Sequence, residues 1–261
     1  MYFACQFKET LSNDMESGRL LFESPEKAMH QQLKNYLSPS NDLNGDEIMR
    51  DCFPMINDVH FFISHSHKDE ALAIQLANLI FFSCGIKSFI DSMVWDYAEE
   101  LLRDIDDEYS VLRENPKVYN YNKVGLSASY VHMMLATSLT TMMDKCDCII
   151  FINTPNSIAP SEIKESPKTF SPWIFHELSM IQFLKEKRPD FTYENYSMRK
   201  VASKEQSTLK IKLPTKINEL PYLKITYLSE LKQFISQQNE HDDQVKRIIT
   251  MKKLKELIYK L

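Results

Sequence analysis

The sequence predicts an α/β fold, with a parallel sheet covered by helices on both faces. Three observations predict it. Val59-His60-Phe61-Phe62-Ile63-Ser64 is a short β-branched and aromatic run of the kind that forms a buried strand. An amphipathic helix follows, with Leu72, Leu76, Leu79 and Ile80 on one side, and a second strand spans Ile86 to Asp91. Strand, helix and strand within about 33 residues make a βαβ unit, whose crossover implies parallel strands with a helix across them.

Taken in order, residues 1–57 are polar and read as an N-terminal helical extension. Ser24-Pro25-Glu26 offers an N-cap with Pro at the first helical position, and Ala28, Leu33 and Leu37 give a thin apolar edge. Residues 38–45 are a loop by composition. In the βαβ unit Gly85 stops the helix after Cys84, and Ser66 or Asp69 is placed to cap its start. A loop from Ser92 to Asp96 leads into a helix from about Ala98 to Tyr109. Residues 113–126 form a polar, tyrosine-containing insertion, and a Met-rich helix runs from Ser127 to Lys145. The third core strand is Asp147 to Asn153, ending in Thr154-Pro155-Asn156-Ser157. Ser171-Pro172 then starts a helix to about Lys187. Short strands follow at Leu209 to Leu213 and Leu223 to Tyr227, and two helices close the chain.

Composition narrows the chemistry. The 261 residues carry a net charge of −5 and no basic tract, which argues against nucleic acid as the main partner. Only four glycines occur, Gly18, Gly45, Gly85 and Gly125, against roughly 18 at average usage. Their spacing excludes both Gly-rich phosphate cradles, the Rossmann fingerprint and the P-loop. Five scattered cysteines without a CxxC pair read as reduced thiols. With no signal-peptide pattern and no apolar run long enough to span a bilayer, the expectation is a soluble, cytoplasmic protein without a membrane partner.

The helix after Ser171 carries the sharpest anomaly. At about 100° per residue with Trp173 at zero, Leu184 falls near 20°, Glu177 near 40°, Ile181 near 80°, Ile174 near 100° and Leu178 near 140°. Glu177 therefore lies inside the apolar stripe, one turn after Trp173. A carboxylate there needs a partner or an open cleft. A buried salt bridge, or a Glu snorkelling at the stripe's edge, is the plainer account. The functional account is a partly desolvated carboxylate beside an aromatic platform.

His65-x-His67 follows the first strand, but no third or fourth metal ligand stands at helpful spacing. Position matters more, because ligands of parallel α/β sheets bind beyond the carboxyl ends of the strands. His65, Ser66 and His67 lie there, as do Asp91 to Trp95 and Thr154 to Ser157; turn and capping chemistry is the plainer account. Cys146 and Cys148 flank the start of the third strand and, as alternate residues, are expected on one side of it as buried thiols. Met133, Met134, Met142 and Met143 read as core or packing surface. No GxSxG elbow exists.

Phe61-Phe62-Ile63-Ser64-His65-Ser66-His67-Lys68-Asp69-Glu70 resembles the first signature of TIR domains. Phe89-Ile90-Asp91 resembles that family's second strand, leading into its BB loop, and Ser171 to Leu178 resembles the segment where catalytic TIR domains place a Trp four residues before an essential Glu. The likeness covers roughly residues 58–230, with an insertion at about 110–145 and C-terminal helices at 231–261. It implies a flavodoxin-like fold and cleavage of the nicotinamide–ribose bond of NAD+, by hydrolysis to ADP-ribose or cyclisation to an ADP-ribose isomer. Bacterial members commonly act in anti-phage defence, making a signal read by a separate effector.

By motif position the resemblance gives Glu177 the catalytic role, holding the ribose hydroxyls and stabilising an oxocarbenium-like centre. Trp173 would stack near the nicotinamide or ribose. His65, Ser66 and His67 would line the substrate's phosphate side, Asp91 with Trp95 the BB-loop side, and Ser64 would join them as a substrate-binding residue. NAD+ is then the substrate, with no further cofactor and no metal, and self-association through the TIR domain is expected. The chain departs from the family in a BB loop without Gly or Pro and in the length of its insertion. Two other readings remain: a non-catalytic TIR adaptor working through TIR–TIR or partner contacts, and a flavodoxin-like nucleoside transferase acting on another nucleotide.

Overall fold

The computed structural model describes residues 3–11, 33–37, 42–95, 98–159, 167–186, 213–237 and 243–260. The strands are β1 (Phe3–Phe7), β2 (Val59–Ser64), β3 (Lys87–Phe89), β4 (Val111–Leu112), β5 (Asn115–Tyr119), β6 (Cys148–Ile152), β7 (Lys168–Thr169) and β8 (Leu213–Pro214). The helices are α1 (Gly45–Cys52), α2 (Glu70–Cys84), α3 (Asp91–Val94), α4 (Ala98–Tyr109), α5 (Tyr121–Lys145), α6 (Pro172–Glu186), α7 (Ile225–Ser236) and α8 (Asp243–Tyr259). The central sheet is parallel with the order β1-β6-β2-β3. The adjacent strands β2 and β6 are followed by helices on opposite faces of the sheet, α2 after β2 and α6 after β6. The gap between the carboxyl ends of β2 and β6 is therefore a topological switch point.

Alternation along the strands divides the core into two layers. Ala4, Phe62, Ile149 and Phe151 face one cluster, shared with residues of α1, α4, α5 and α6. Phe3, Cys5, Phe7, Phe61, Ile63, Cys148, Ile150 and Ile152 face the other, shared with α2, α7 and α8. Helices thus cover both faces, as the βαβ pattern predicts. At the end of α2, Gly85 adopts φ 71° and its N–H returns to the Phe81 carbonyl at 2.7 Å, the left-handed cap expected of it. Ser171 caps α6 by accepting from Ile174 N at 3.3 Å. Among the described residues no helix is long and apolar enough to cross a membrane.

Several expectations change. Residues 1–57 are not simply a helical extension, because Phe3–Phe7 is a fully buried strand paired in register with β6, from Phe3 opposite Cys148 to Phe7 opposite Ile152. Of the helix expected after Ser24, residues 24–32 lie outside the described residues, and Leu33–Tyr36 form a single 3-10 turn. Asn44 caps the unexpected α1 through the backbone N–H groups of Asp46 and Glu47. The polar insertion folds as a β4–β5 hairpin, and the Met-rich helix starts at Tyr121, where Asn120 caps it, rather than at Ser127. Ile225–Tyr227 belongs to α7, and the strand expected there shrinks to one bridge between Gln6 and Tyr222. Cys146 ends α5 and faces the first core layer whereas Cys148 faces the second, so the two thiols do not share a side.

Candidate functional site

Ser64 ends β2, and Ser66 leads into a 3-10 turn, His67–Asp69, that runs on into α2. Neither Ser66 nor Asp69 caps the helix with its side chain. Asp69 is instead buried and reaches across the sheet edge, accepting from Thr154 Oγ1 at 2.5 Å and Asn156 Nδ2 at 2.7 Å. The loops after β2 and β6 are thereby tied together, which explains the polar run at residues 154–157. Asp91 begins α3 directly beyond β3.

Glu177 enters this region from α6. Its neighbours on the stripe, Ile174, Leu178, Ile181 and Leu184, are buried, and Glu177 itself is only 2% exposed. It forms no salt bridge among the described residues. Ser64 Oγ donates to its Oε2. Burial pushes the Glu177 carboxyl well above the usual range, the nearby negative charge of Asp91 pushes it further, and the Ser64 hydroxyl opposes both. Asp91 is raised as well, chiefly by desolvation, against the pull of His65, two backbone N–H groups and His67.

His65 stands beside Asp91. Its side chain is 2% exposed, with Nδ1 3.6 Å from Asp91 Oδ1 and Nε2 3.1 Å from Ser92 Oγ. The Nδ1 atom is buried without a hydrogen-bond partner among the described residues. Ser64, His65, Asp91 and Glu177 thus form one cluster at the switch point, with Ser66 half-buried and His67 exposed at its margin.

Two aromatic residues expected at the site are engaged elsewhere. Trp95 is 5% exposed, packs edge-on against Phe53 and Phe89, and donates its indole N–H to the Pro54 carbonyl at 3.2 Å. It is a core residue rather than a wall of the cluster. Trp173 is half-buried and meets His132 of α5 edge-to-face, ring centres 5.5 Å apart. His132 came from the insertion helix and carried no sequence signal. The neighbouring His176 has Nε2 3.0 Å from Thr140 Oγ1 and 3.1 Å from the Ala136 carbonyl, and burial lowers its pKa.

A cavity of about 250 Å³ opens farther along the same sheet edge, lined by Lys8, Asn153, Thr154 and Asn218 among others. None of the four cluster residues lines it. Among the described residues no group of three or more His, Cys, Asp or Glu could hold a metal ion. What fold and site define is a parallel α/β protein with a desolvated acidic cluster at its switch point. Comparison with protein-family models, curated proteins and solved structures found no match.

Proposed function

We propose that the chain is a TIR-type enzyme that cleaves the nicotinamide–ribose bond of NAD+, releasing nicotinamide and ADP-ribose or a cyclic isomer of it. The observation that carries the reading is Glu177: a carboxyl with no counter-cation among the described residues, buried at the switch point on a Ser64 hydrogen bond. A structural carboxylate in an apolar stripe is costly unless paired with a cation. A site awaiting a cationic substrate gives that arrangement a purpose.

The chemistry fits a single carboxylate. As the C–N bond breaks, its electron pair neutralises the pyridinium nitrogen, so the leaving group needs no proton. Positive charge gathers on the ribosyl carbon and ring oxygen, where an ionised carboxylate in a water-poor site stabilises it most. A pyridinium brought beside Glu177 also favours the ionised carboxylate, offsetting the desolvation that raises it in the free protein. Ser64 holds one carboxylate oxygen and leaves the other for the ribose hydroxyls. With a glycine-poor chain, the diphosphate would be met by side chains and loop backbone rather than by a Gly-rich cradle.

The test is nicotinamide release from NAD+ by the purified protein, followed by chromatography and mass. Glu177→Ala and Glu177→Gln should each lose at least about 10²-fold in kcat while keeping the wild-type circular dichroism spectrum. Full activity in either variant would remove the mechanism.

One observation favours a second reading, the non-catalytic adaptor. Leu126, Tyr130 and Met133 of α5 lie on one face of the helix and are 56%, 64% and 64% exposed, an apolar surface suited to self-association or to a protein partner. If no nicotinamide appears at low or high protein concentration, contact through this surface becomes the better account. In the enzymatic reading the same surface would serve self-association, and the product would act on a separate effector, as in anti-phage signalling.

A further inference from the structure

Catalysis by Glu177 explains how the glycosidic bond breaks but leaves His65 and Asp91 without a task. A buried imidazole nitrogen without a partner is rare in a folded protein and calls for one. His65 Nδ1 is such an atom. It lies on the side of the ring facing Asp91 Oδ1, at 3.6 Å, too far for a good hydrogen bond. Solvent does not reach Nδ1 itself, so a water meets the pair through the Asp91 carboxylate, with the imidazole behind it. Asp91 keeps its side chain 31% exposed, so the pair is reachable from solvent although His65 is not. Ser92 holds the far nitrogen at 3.1 Å and fixes the ring.

We propose that His65 and Asp91 form a water-activating dyad, with Asp91 as the general base, and that the reaction at this site is therefore hydrolysis rather than cyclisation. The inference rests on the NAD+-cleaving reading of Glu177. The acceptor is the Asp91 carboxylate; His65, its far nitrogen held on Ser92, stands behind that carboxylate and positions it. The water oxygen bonds to the ribosyl carbon as the pyridinium nitrogen leaves with the electron pair of the broken bond. The water proton passes to Asp91 and from there to solvent. Reactants are NAD+ and water; products are nicotinamide, ADP-ribose and one proton. Nothing is oxidised or reduced. The desolvation that raises Asp91 makes it a stronger base once ionised.

The test separates nucleophiles that must lose a proton from one that need not. Wild type, Asp91→Asn and His65→Gln are given NAD+ with and without 3-acetylpyridine, and ADP-ribose and the exchanged dinucleotide are quantified. A pyridine nitrogen attacks without releasing a proton, so exchange does not need the base. Asp91→Asn should lose about 10²-fold in hydrolysis and retain exchange within a few-fold, with a smaller loss in the same direction for His65→Gln. Equal loss of both reactions, or undiminished hydrolysis, overturns the dyad. Should the variants fail to fold, wild type in heavy water decides: a normal solvent isotope effect on hydrolysis and none on exchange is expected, and its absence overturns the dyad. A cyclic product as the main wild-type product also overturns it while leaving the role of Glu177 standing. No nicotinamide at all from the wild type overturns the reading of the site, and the dyad with it.

Discussion

Replacing Gln6 by Glu changes one atom type and should be among the most damaging substitutions in the chain. Gln6 is fully buried in β1. Its Nε2 donates to the Ile217 carbonyl at 2.8 Å and the Leu220 carbonyl at 2.6 Å, and its Oε1 accepts from Asn153 Nδ2 at 2.7 Å. Its backbone pairs outward as well, with the Pro221 carbonyl and Leu223 N. The amide therefore joins β1, the end of β6 and the 217–223 segment. In Gln6→Glu an oxygen faces two carbonyl oxygens in place of two N–H donors. Two hydrogen bonds at about 0.5–1.5 kcal/mol each are lost. Burying an ionised carboxylate costs several kcal/mol more, unless it binds a proton. The sum at neutral pH is about 4–6 kcal/mol, a large share of the roughly 5–15 kcal/mol that holds a typical domain folded. Protonation relieves the charge, so the penalty should shrink as pH falls toward the ordinary Glu range near about 4.3. Urea unfolding followed by circular dichroism at pH 5 and pH 8 measures both. Gln6→Leu is the control: it loses three hydrogen bonds but gains apolar burial of about 2 kcal/mol, so its net effect should stay below about 3 kcal/mol. A loss under about 1 kcal/mol for Gln6→Glu at pH 8 would refute the placement of this amide.

Glu177 should impose its own pH dependence on stability. Its folded carboxyl lies above its unfolded value, so the native state holds the extra proton between the two, and stability declines as pH rises through that window. Glu177→Gln should remove that decline and melt higher than wild type at neutral pH, as differential scanning calorimetry across pH 4 to 8 would register. In activity assays the same raised carboxyl must be ionised in the free enzyme, so log kcat/KM should rise with pH on the acid side and flatten above it; a flat profile from pH 4 upward would contradict the assignment. Gly85→Ala meets no atom within 4 Å but must hold φ 71°, so it should destabilise by about 1 kcal/mol through backbone strain alone, measured by urea midpoint at unchanged m.

Local chemistry made much of the fold legible. The hydrophobic runs at residues 59–64 and 148–152 alternate between two core layers and could only be buried strands. Gly85 and Ser171-Pro172 are punctuation that needs nothing beyond the neighbouring backbone. Elements with weak local signatures were lost. The β1 strand is five residues long and carries a buried Gln, so its polarity reads as surface until the three partners of that amide are known. The hairpin 111–119 is exposed and polar, and the Asp107 acceptor of the Tyr119 hydroxyl comes from α4, not from its own strands.

The candidate site divides in the same way. Helical periodicity alone placed Glu177 among Ile174, Leu178, Ile181 and Leu184, because a residue's angle around a helix depends only on its position in the chain. Strand ends alone marked His65, Asp91 and Thr154. Which of these meet was decided by tertiary structure: Ser64 and Glu177 are 113 residues apart in sequence, Asp69 and Thr154 85 apart. Trp95 shows the converse, an aromatic beside a promising strand end whose ring the core claimed because Phe53, Phe89 and the Pro54 carbonyl were there to receive it. Periodicity and capping are properties of a few consecutive residues and can be read from them. The environment of a buried carboxyl is set by the strand order, and that depends on contacts no short stretch of chain contains.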